Sequence, residues 1–162
     1  MTHPNNRDWS VREATTADIP QISEVWWEFM LFHADLNPTF TPTQDGRDKF
    51  AAYLEEQLAA KSSLLLVAHA DDSIVGYCLA GMAERPPVLI DCQYGMINDL
   101  AVVSSLRRRG IGEALLKSAE EWFKAAGINR VELQVMSAND LGRRFWTKMG
   151  YAVYLEKRFR DV

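Results

Sequence analysis

One segment constrains this chain more than any other: Ile97-Asn98-Asp99-Leu100-Ala101-Val102-Val103-Ser104-Ser105-Leu106-Arg107-Arg108-Arg109-Gly110-Ile111-Gly112. It reads as an apolar strand, a short basic turn and the start of a helix. Backbone N–H groups at a helix N-terminus lack intrahelical partners and point outward at the positive end of the peptide dipole. Residues as small as Gly110 and Gly112 let an anion approach those groups closely, so the segment is a phosphate cradle in an α/β chain. Two other phosphate loops fit poorly. An ATP loop needs Gly-Lys-Ser/Thr at the helix start, which is absent, and a dinucleotide fingerprint needs a third small residue where Leu115 stands. A solvated basic turn is the alternative for three adjacent arginines, and the flanking glycines and helix start weigh against it.

The rest of the pattern supplies a sheet and its covering helices. Ser10 to Ala14 is a short strand, and Thr15, Thr16 and Asp18 before Ile19 and Pro20 mark a helix start. Ile22, Val25, Trp26, Phe29 and Phe32 recur at helical spacing until Asn37, Pro38 and Pro42 interrupt the chain. Phe50, Leu54 and Leu58 stripe a second helix from about Gln44 to Ala60. The runs Ser63 to Ala70 and Ile74 to Met82, joined by Asp71-Asp72-Ser73, predict a hairpin; Glu84-Arg85-Pro86-Pro87 is a loop before a strand from about Tyr94 to Val103. Ile111, Leu115, Ala119, Trp122, Phe123 and Ala126 share one face of a helix that begins near Gly110 and stops at Gly127. Val131, Leu133 and Val135 alternate as a strand, Asn139 to Gly150 is a helix, and Tyr151 to Phe159 is a last strand. The order predicts a mixed central sheet of about six or seven strands flanked by about four helices.

Composition bounds the function. With 162 residues, 48% of them hydrophobic, the chain holds one domain, taken here as residues 5–162. Eighteen basic residues against twenty-two acidic ones, a net charge of -4, argue against a nucleic-acid binder whose affinity depends on neutralising phosphates. Cys78 and Cys92 are too few for a disulfide framework and lack the spacing of a zinc site, so a reducing cytoplasm and no metal are expected. Met1 to Trp9 has no leader-like apolar stretch, and no segment approaches the roughly 20 apolar residues of a membrane helix.

The spacing Arg107-x-x-Gly110-x-Gly112 after a Leu-x-Val strand resembles the acyl-CoA pyrophosphate loop of GNAT acetyltransferases. Downstream, Asn139-x-x-Gly142-x-x-Phe145-Trp146-x-Lys148-x-Gly150-Tyr151 is similar to the second signature of that family. The start Arg12-Glu13-Ala14-Thr15 and the hairpin around Val75-Gly76-Tyr77 also resemble it, so the likeness covers nearly the whole chain.

The resemblance implies transfer of an acetyl group from acetyl-CoA to the amine of a small molecule or peptide; a non-catalytic acyl-CoA-binding module on the same fold is the alternative. It implies that the backbone of Leu100, Ala101 and Val102 pairs with pantetheine, and that one of those N–H groups polarises the thioester carbonyl. It implies too that the Arg107 turn, with Arg108, Arg109, Gly110, Ile111, Gly112 and Glu113, would hold the pyrophosphate, that Asn139 would hydrogen-bond the cofactor, and that Phe145 and Trp146 would wall its pantetheine end.

An alkylammonium of pKa near 10.4 must lose a proton before it can attack. Asp99 is the first candidate base, Glu84 the second, and His33 a third. Trp146 stands where the family often places a tyrosine that protonates the leaving thiolate, and indole has no acidic proton. Tyr151 or a water is then the candidate acid. Helix one, the loop from Pro38 to Pro42 and the segment from Glu84 to Cys92 are expected to form the acceptor pocket, with Trp26, Trp27, Phe29, Phe40 and Tyr94 as its aromatic residues. A homodimer through the last strand is also in keeping with the family.

Overall fold

A computed structural model describes residues 8–162; residues 5–7 of the expected domain, and Met1 to Arg7 of the leader reading, lie outside the described residues. The elements are β1 (Ser10–Glu13), α1 (Ile19–Leu36), α2 (Gly46–Ala59), β2 (Ser63–Ala70), β3 (Ser73–Glu84), β4 (Gln93–Val102), α3 (Ile111–Ala125), β5 (Val131–Leu133) and α4 (Asp140–Lys148). Single 3-10 turns occupy Thr16–Asp18, Pro38–Phe40 and Ser104–Leu106. The strands form one sheet in sequence order, antiparallel from β1 to β4 and parallel between β4 and β5. Among the described residues, no helix is long and apolar enough to cross a membrane.

Alternation along β2 and β3 sends successive side chains to opposite faces, and each face has its own core. Leu65, Val67, Tyr77 and Leu79 meet Ile22 and Val25 of α1 and Phe50 and Leu54 of α2. Leu64, Leu66, Cys78 and Ala80 meet Ile111, Leu115, Ala119 and Phe123 of α3, with Phe145, Trp146 and Met149 of α4 packed alongside. The predicted start of α1 is realised through Asp18, whose carboxylate accepts hydrogen bonds from Thr15 N at 2.8 Å and from both terminal nitrogens of Arg12 at 2.7 and 2.8 Å. Pro20 follows in the first turn, where its missing N–H is no loss.

The sheet has five strands rather than six or seven, because the expected strand from Tyr151 to Phe159 does not form. Its alternating pattern is present, but a strand needs a backbone partner and the neighbouring β5 is only three residues long. Side chains attach the tail instead. Tyr151 donates to Glu120 Oε1 at 2.8 Å, and Tyr154 donates to Glu132 Oε2 at 2.5 Å while the Arg130 guanidinium lies over its ring.

Candidate active site

The site begins with an irregularity in β4. Leu79 of β3 pairs with Asp99 but Ala80 pairs with Ile97, so Asn98 is an extra residue. Such a bulge reverses which face each later side chain meets. Gly95 lies beneath the Phe123 ring and Ile97 is in the core under α3; beyond the bulge, Leu100 and Val102 take that face. Asp99 and Ala101 consequently face α1 and α2, where Ala101 is buried beside Tyr77 and Asp99 accepts the Tyr77 hydroxyl at 3.1 Å. Without the bulge, the carboxylate would enter the apolar core beneath α3.

Beside the bulge, the sheet opens. β4 and β5 pair only from Gly95 with Val131 to Ile97 with Leu133. A cleft of about 190 Å³, lined by Met96, Ile97, Asn98 and Gln134, lies where they part. From Asp99 to Val102, β4 keeps its pairing with β3 on one edge, while every second peptide on the other edge faces the opening. An extended ligand could pair with that edge as an added strand.

The open edge leads into the basic turn. Arg108 has φ 64°, and Gly110, the residue capping α3, has φ 81°. A non-glycine residue in the left-handed region is strained, and such strain concentrates at functional sites. Turns of this kind gather successive N–H groups into an anion-binding concavity. An added Cβ at Gly110 would meet only Trp9, at 3.9 Å, so the left-handed backbone and not crowding requires glycine there. An added Cβ at Gly112 would contact Phe145 at 3.5 Å, so this residue also permits close packing of α3 on α4. The three arginines separate in role. Arg107 turns back, donating from Nε to Val102 O at 3.2 Å with its guanidinium 5.6 Å above the Phe32 ring. Arg108 and Arg109 have no ion-pair partner among the described residues and leave two cations at the mouth of the turn. Glu28 of α1 accepts Ser104 N at 2.8 Å and ties this turn to the opposite helix layer.

On the α1 and α2 face, Asp99 is half-buried and has no lysine or arginine partner among the described residues. Burial raises its pKa to about 6, against the opposing effects of the Tyr77 hydrogen bond and nearby His33. His33 Nδ1 lies 2.8 Å from Phe29 O, which fixes Nδ1 as the donor and leaves Nε2 available. Burial and the Asp99 charge hold the Tyr77 phenol well above its ordinary pKa, so it remains a donor.

The sequence model of the Acetyltransferase (GNAT) family matches residues 22–151. The chain belongs to this family. Its similarity to an uncharacterized N-acetyltransferase of Methanocaldococcus jannaschii is 42% identity over 52% of this chain and 50% of that protein. With an aminoglycoside N(6')-acetyltransferase type 1 of Klebsiella aerogenes it shares 31% identity over 52% of this chain and 55% of the relative. The chain thus matches about half the length of these curated relatives. Its fold is similar to a predicted acetyltransferase of Clostridium acetobutylicum solved with acetyl-CoA, with TM-score 0.76, 19% identity, and coverage of 94% and 96% of the two chains.

Within this GNAT domain, the residues expected to act together do not all meet. Glu84 ends β3 opposite Gln93, exposed, and five residues beyond Leu79, which pairs with Asp99. At about 3.3 Å per residue that is roughly 17 Å from the half-buried carboxylate. Tyr151 packs on the α3 side with its hydroxyl committed to Glu120, and burial together with Glu120 raises its pKa. Trp146 stands edge-on between Phe145 and Tyr151, with ring centroids 5.0 and 5.2 Å away. Asn139 is buried and its Oδ1 caps α4 by accepting Gly142 N at 2.8 Å, a structural use that leaves its amide nitrogen for other contacts. Of the aromatic acceptor-pocket candidates, Tyr94 lies under the Arg85 guanidinium and Trp27 under that of Arg47, whereas Phe29 and Phe40 flank His33. Tyr77 is the partner that the sequence did not reveal: it stands in the apolar run from Ile74 to Met82, and nothing local shows that its hydroxyl reaches Asp99.

Proposed function

We propose that this chain is an acetyl-CoA-dependent N-acetyltransferase acting on the amine of a small molecule or peptide. The observation that carries this reading is the half-buried, unpaired carboxylate of Asp99, set by a bulge beside the parting of β4 and β5. Acetyl-CoA, when bound, supplies an activated thioester carbonyl. The backbone of Leu100, Ala101 and Val102 would hold its pantetheine, N–H groups from Arg108 to Glu113 its pyrophosphate, and Phe145 and Trp146 would line the way between. Arg107 acts as a brace for the turn, since its side chain already engages Val102 and Phe32.

Asp99 receives the amine proton. An ammonium near pKa 10.4 and a carboxylate near 6 differ by about 6 kcal/mol in proton affinity. Proton loss before attack is therefore uphill, and Asp99 works best by taking the proton as the nitrogen bonds to carbon and becomes more acidic. Tyr77 holds the carboxylate in place throughout.

The unpaired thiols of Cys78 and Cys92 support a reducing, cytoplasmic setting. The reading extends to a homodimer through the tail, where Val153, Leu155 and Phe159 are exposed. Trp146 and the committed Tyr151 favour one competing reading, a domain that binds acyl-CoA without turnover.

The first test is the melting temperature with acetyl-CoA, ATP or NAD. A ligand at 100 times its Kd stabilises by about 2.7 kcal/mol. A shift specific to acetyl-CoA supports the cradle, and an equal shift with ATP overturns it. Amine-dependent release of CoA thiol then separates the enzyme from the binding domain.

A further inference from the structure

Resting on that reading of Asp99, we propose that the acceptor is an arylalkylamine: a monocationic primary amine that lays its ring in the cleft between α1 and α2 and its nitrogen against Asp99. The cleft has a volume of about 330 Å³, and its walls include Trp26, Pro42, Gly46, Lys49, Phe50 and Tyr53. Ligand pockets span roughly 300 to 1,000 Å³, so this open cleft holds a body of one or two rings, and a larger ligand would extend out of it. Trp26 and Phe50 stack with centroids 4.5 Å apart and planes at 11°, forming a flat apolar wall. An added Cβ at Gly46 would lie 3.3 Å from Trp26 and 3.4 Å from Trp27, so the glycine makes room for both indoles.

Aromatic packing connects the cleft to the surroundings of the carboxylate. The Phe50 ring lies 6.1 Å from that of Tyr77, whose hydroxyl is the one bonded to Asp99. Tyr53 extends the same wall, 6.2 Å from Phe50. Its phenol pKa is raised by burial and by the charges of Asp99 and Glu56, placing it within the field of the carboxylate. In the proposed pose an ethyl linker would carry the nitrogen from a ring among these aromatics past Tyr53 to Asp99.

Charge sets the number of ammonium groups. Asp99 lacks a lysine or arginine partner among the described residues, and a half-buried carboxylate held by Tyr77 and His33 alone is the complement of one ammonium, which the surrounding rings also favour. Lys49, paired with Asp45 at 3.0 Å, is the charged residue lining the cleft. A second ammonium, as in a polyamine or aminoglycoside, would find no free carboxylate among the cleft's lining residues, and Asp45 is taken by Lys49; an uncharged ring needs none.

The test compares 2-phenylethylamine, spermidine and kanamycin by thiol release at saturating acetyl-CoA. The expected result is a kcat/KM for 2-phenylethylamine at least tenfold above either polycation. Tyr53→Ala, at a position 38% exposed, should raise the KM for 2-phenylethylamine about tenfold and leave that for acetyl-CoA unchanged. Preference for spermidine or kanamycin, or an unchanged amine KM in Tyr53→Ala, would overturn the proposal. Calorimetric titration of the CoA-saturated protein with each amine reads the same preference without turnover. Selective binding of 2-phenylethylamine without thiol release would sink the catalytic reading and keep the ligand class; release with a polycation alone would do the reverse.

Discussion

Asp99 carries a conflict between folding and chemistry. A carboxyl whose pKa is about 6 in the fold, against an ordinary value of 3.8, is disfavoured as an anion by its surroundings. Between those two values the folded state binds more protons than the unfolded one, so this group's contribution to stability falls as pH rises from about 4 to about 6 and stays lowered above that. Asp99→Asn removes the buried charge while its amide oxygen can still accept the Tyr77 hydroxyl. At pH 8 the variant should therefore melt at or above the wild-type temperature, yet lose about 10²- to 10⁴-fold in kcat/KM. The wild-type pH profile should rise through about pH 6, a limb absent from the residual activity of the variant. A lower melting temperature with activity nearly intact would make Asp99 structural. The sequence pointed to Asp99 by its place on the strand before the basic turn, but not to its orientation. That depends on Asn98, and the one trace in the sequence is that the α3-facing positions run Gly95 and Ile97 before the bulge and Leu100 and Val102 after it.

Elements were legible where local chemistry fixes their ends. Thr15, Asp18 and Pro20 announced α1, and Gly110 and Gly127 bracketed α3, because capping and left-handed turns act through neighbours in sequence. The tail was not legible for the opposite reason: a strand depends on a distant backbone partner, and β5 ends at Leu133 instead of the expected Val135. The Arg12–Asp18 pair joins the two kinds of information, fastening β1 to the start of α1. Arg12, through its hydrogen bonds, lowers the Asp18 pKa from 3.8 to about 2, so the stabilisation is complete above the ordinary value and disappears as pH falls from about 4 to about 2. Arg12 is 43% exposed, so solvent screening limits the contribution to about 1 kcal/mol. Urea denaturation should show Arg12→Met less stable than wild type by about that amount at pH 5, with the gap closing by pH 2. An equal gap at both pH values would mean that the arginine acts through its packed stem rather than its charge.

At the scale of the whole molecule, two cores on opposite faces of one sheet leave the reaction only the space where that sheet opens. The α3 and α4 layer carries the basic turn proposed to hold the pyrophosphate, the α1 and α2 layer carries the cleft proposed for the acceptor, and the bulge turns Asp99 towards the second layer. The tail beyond Tyr151 belongs to neither core. Val153, Leu155 and Phe159 are 85, 74 and 85% exposed, and β5 offers an open sheet edge beside them. Burying such side chains yields about 1.5 to 3 kcal/mol each. A twofold dimer buries each of the three twice, for about 9 to 18 kcal/mol, against about 4 to 15 kcal/mol for lost motion on association. Because the two ranges overlap, the dimer proposed above should form reversibly at accessible concentrations rather than be permanent. Sedimentation velocity from 1 to 100 μM should show monomer giving way to dimer, and Leu155→Glu with Phe159→Glu should hold the protein monomeric at every concentration. If wild type is monomeric throughout, the tail does not mediate self-association. If the double variant still dimerises, the contact lies elsewhere on the sheet edge.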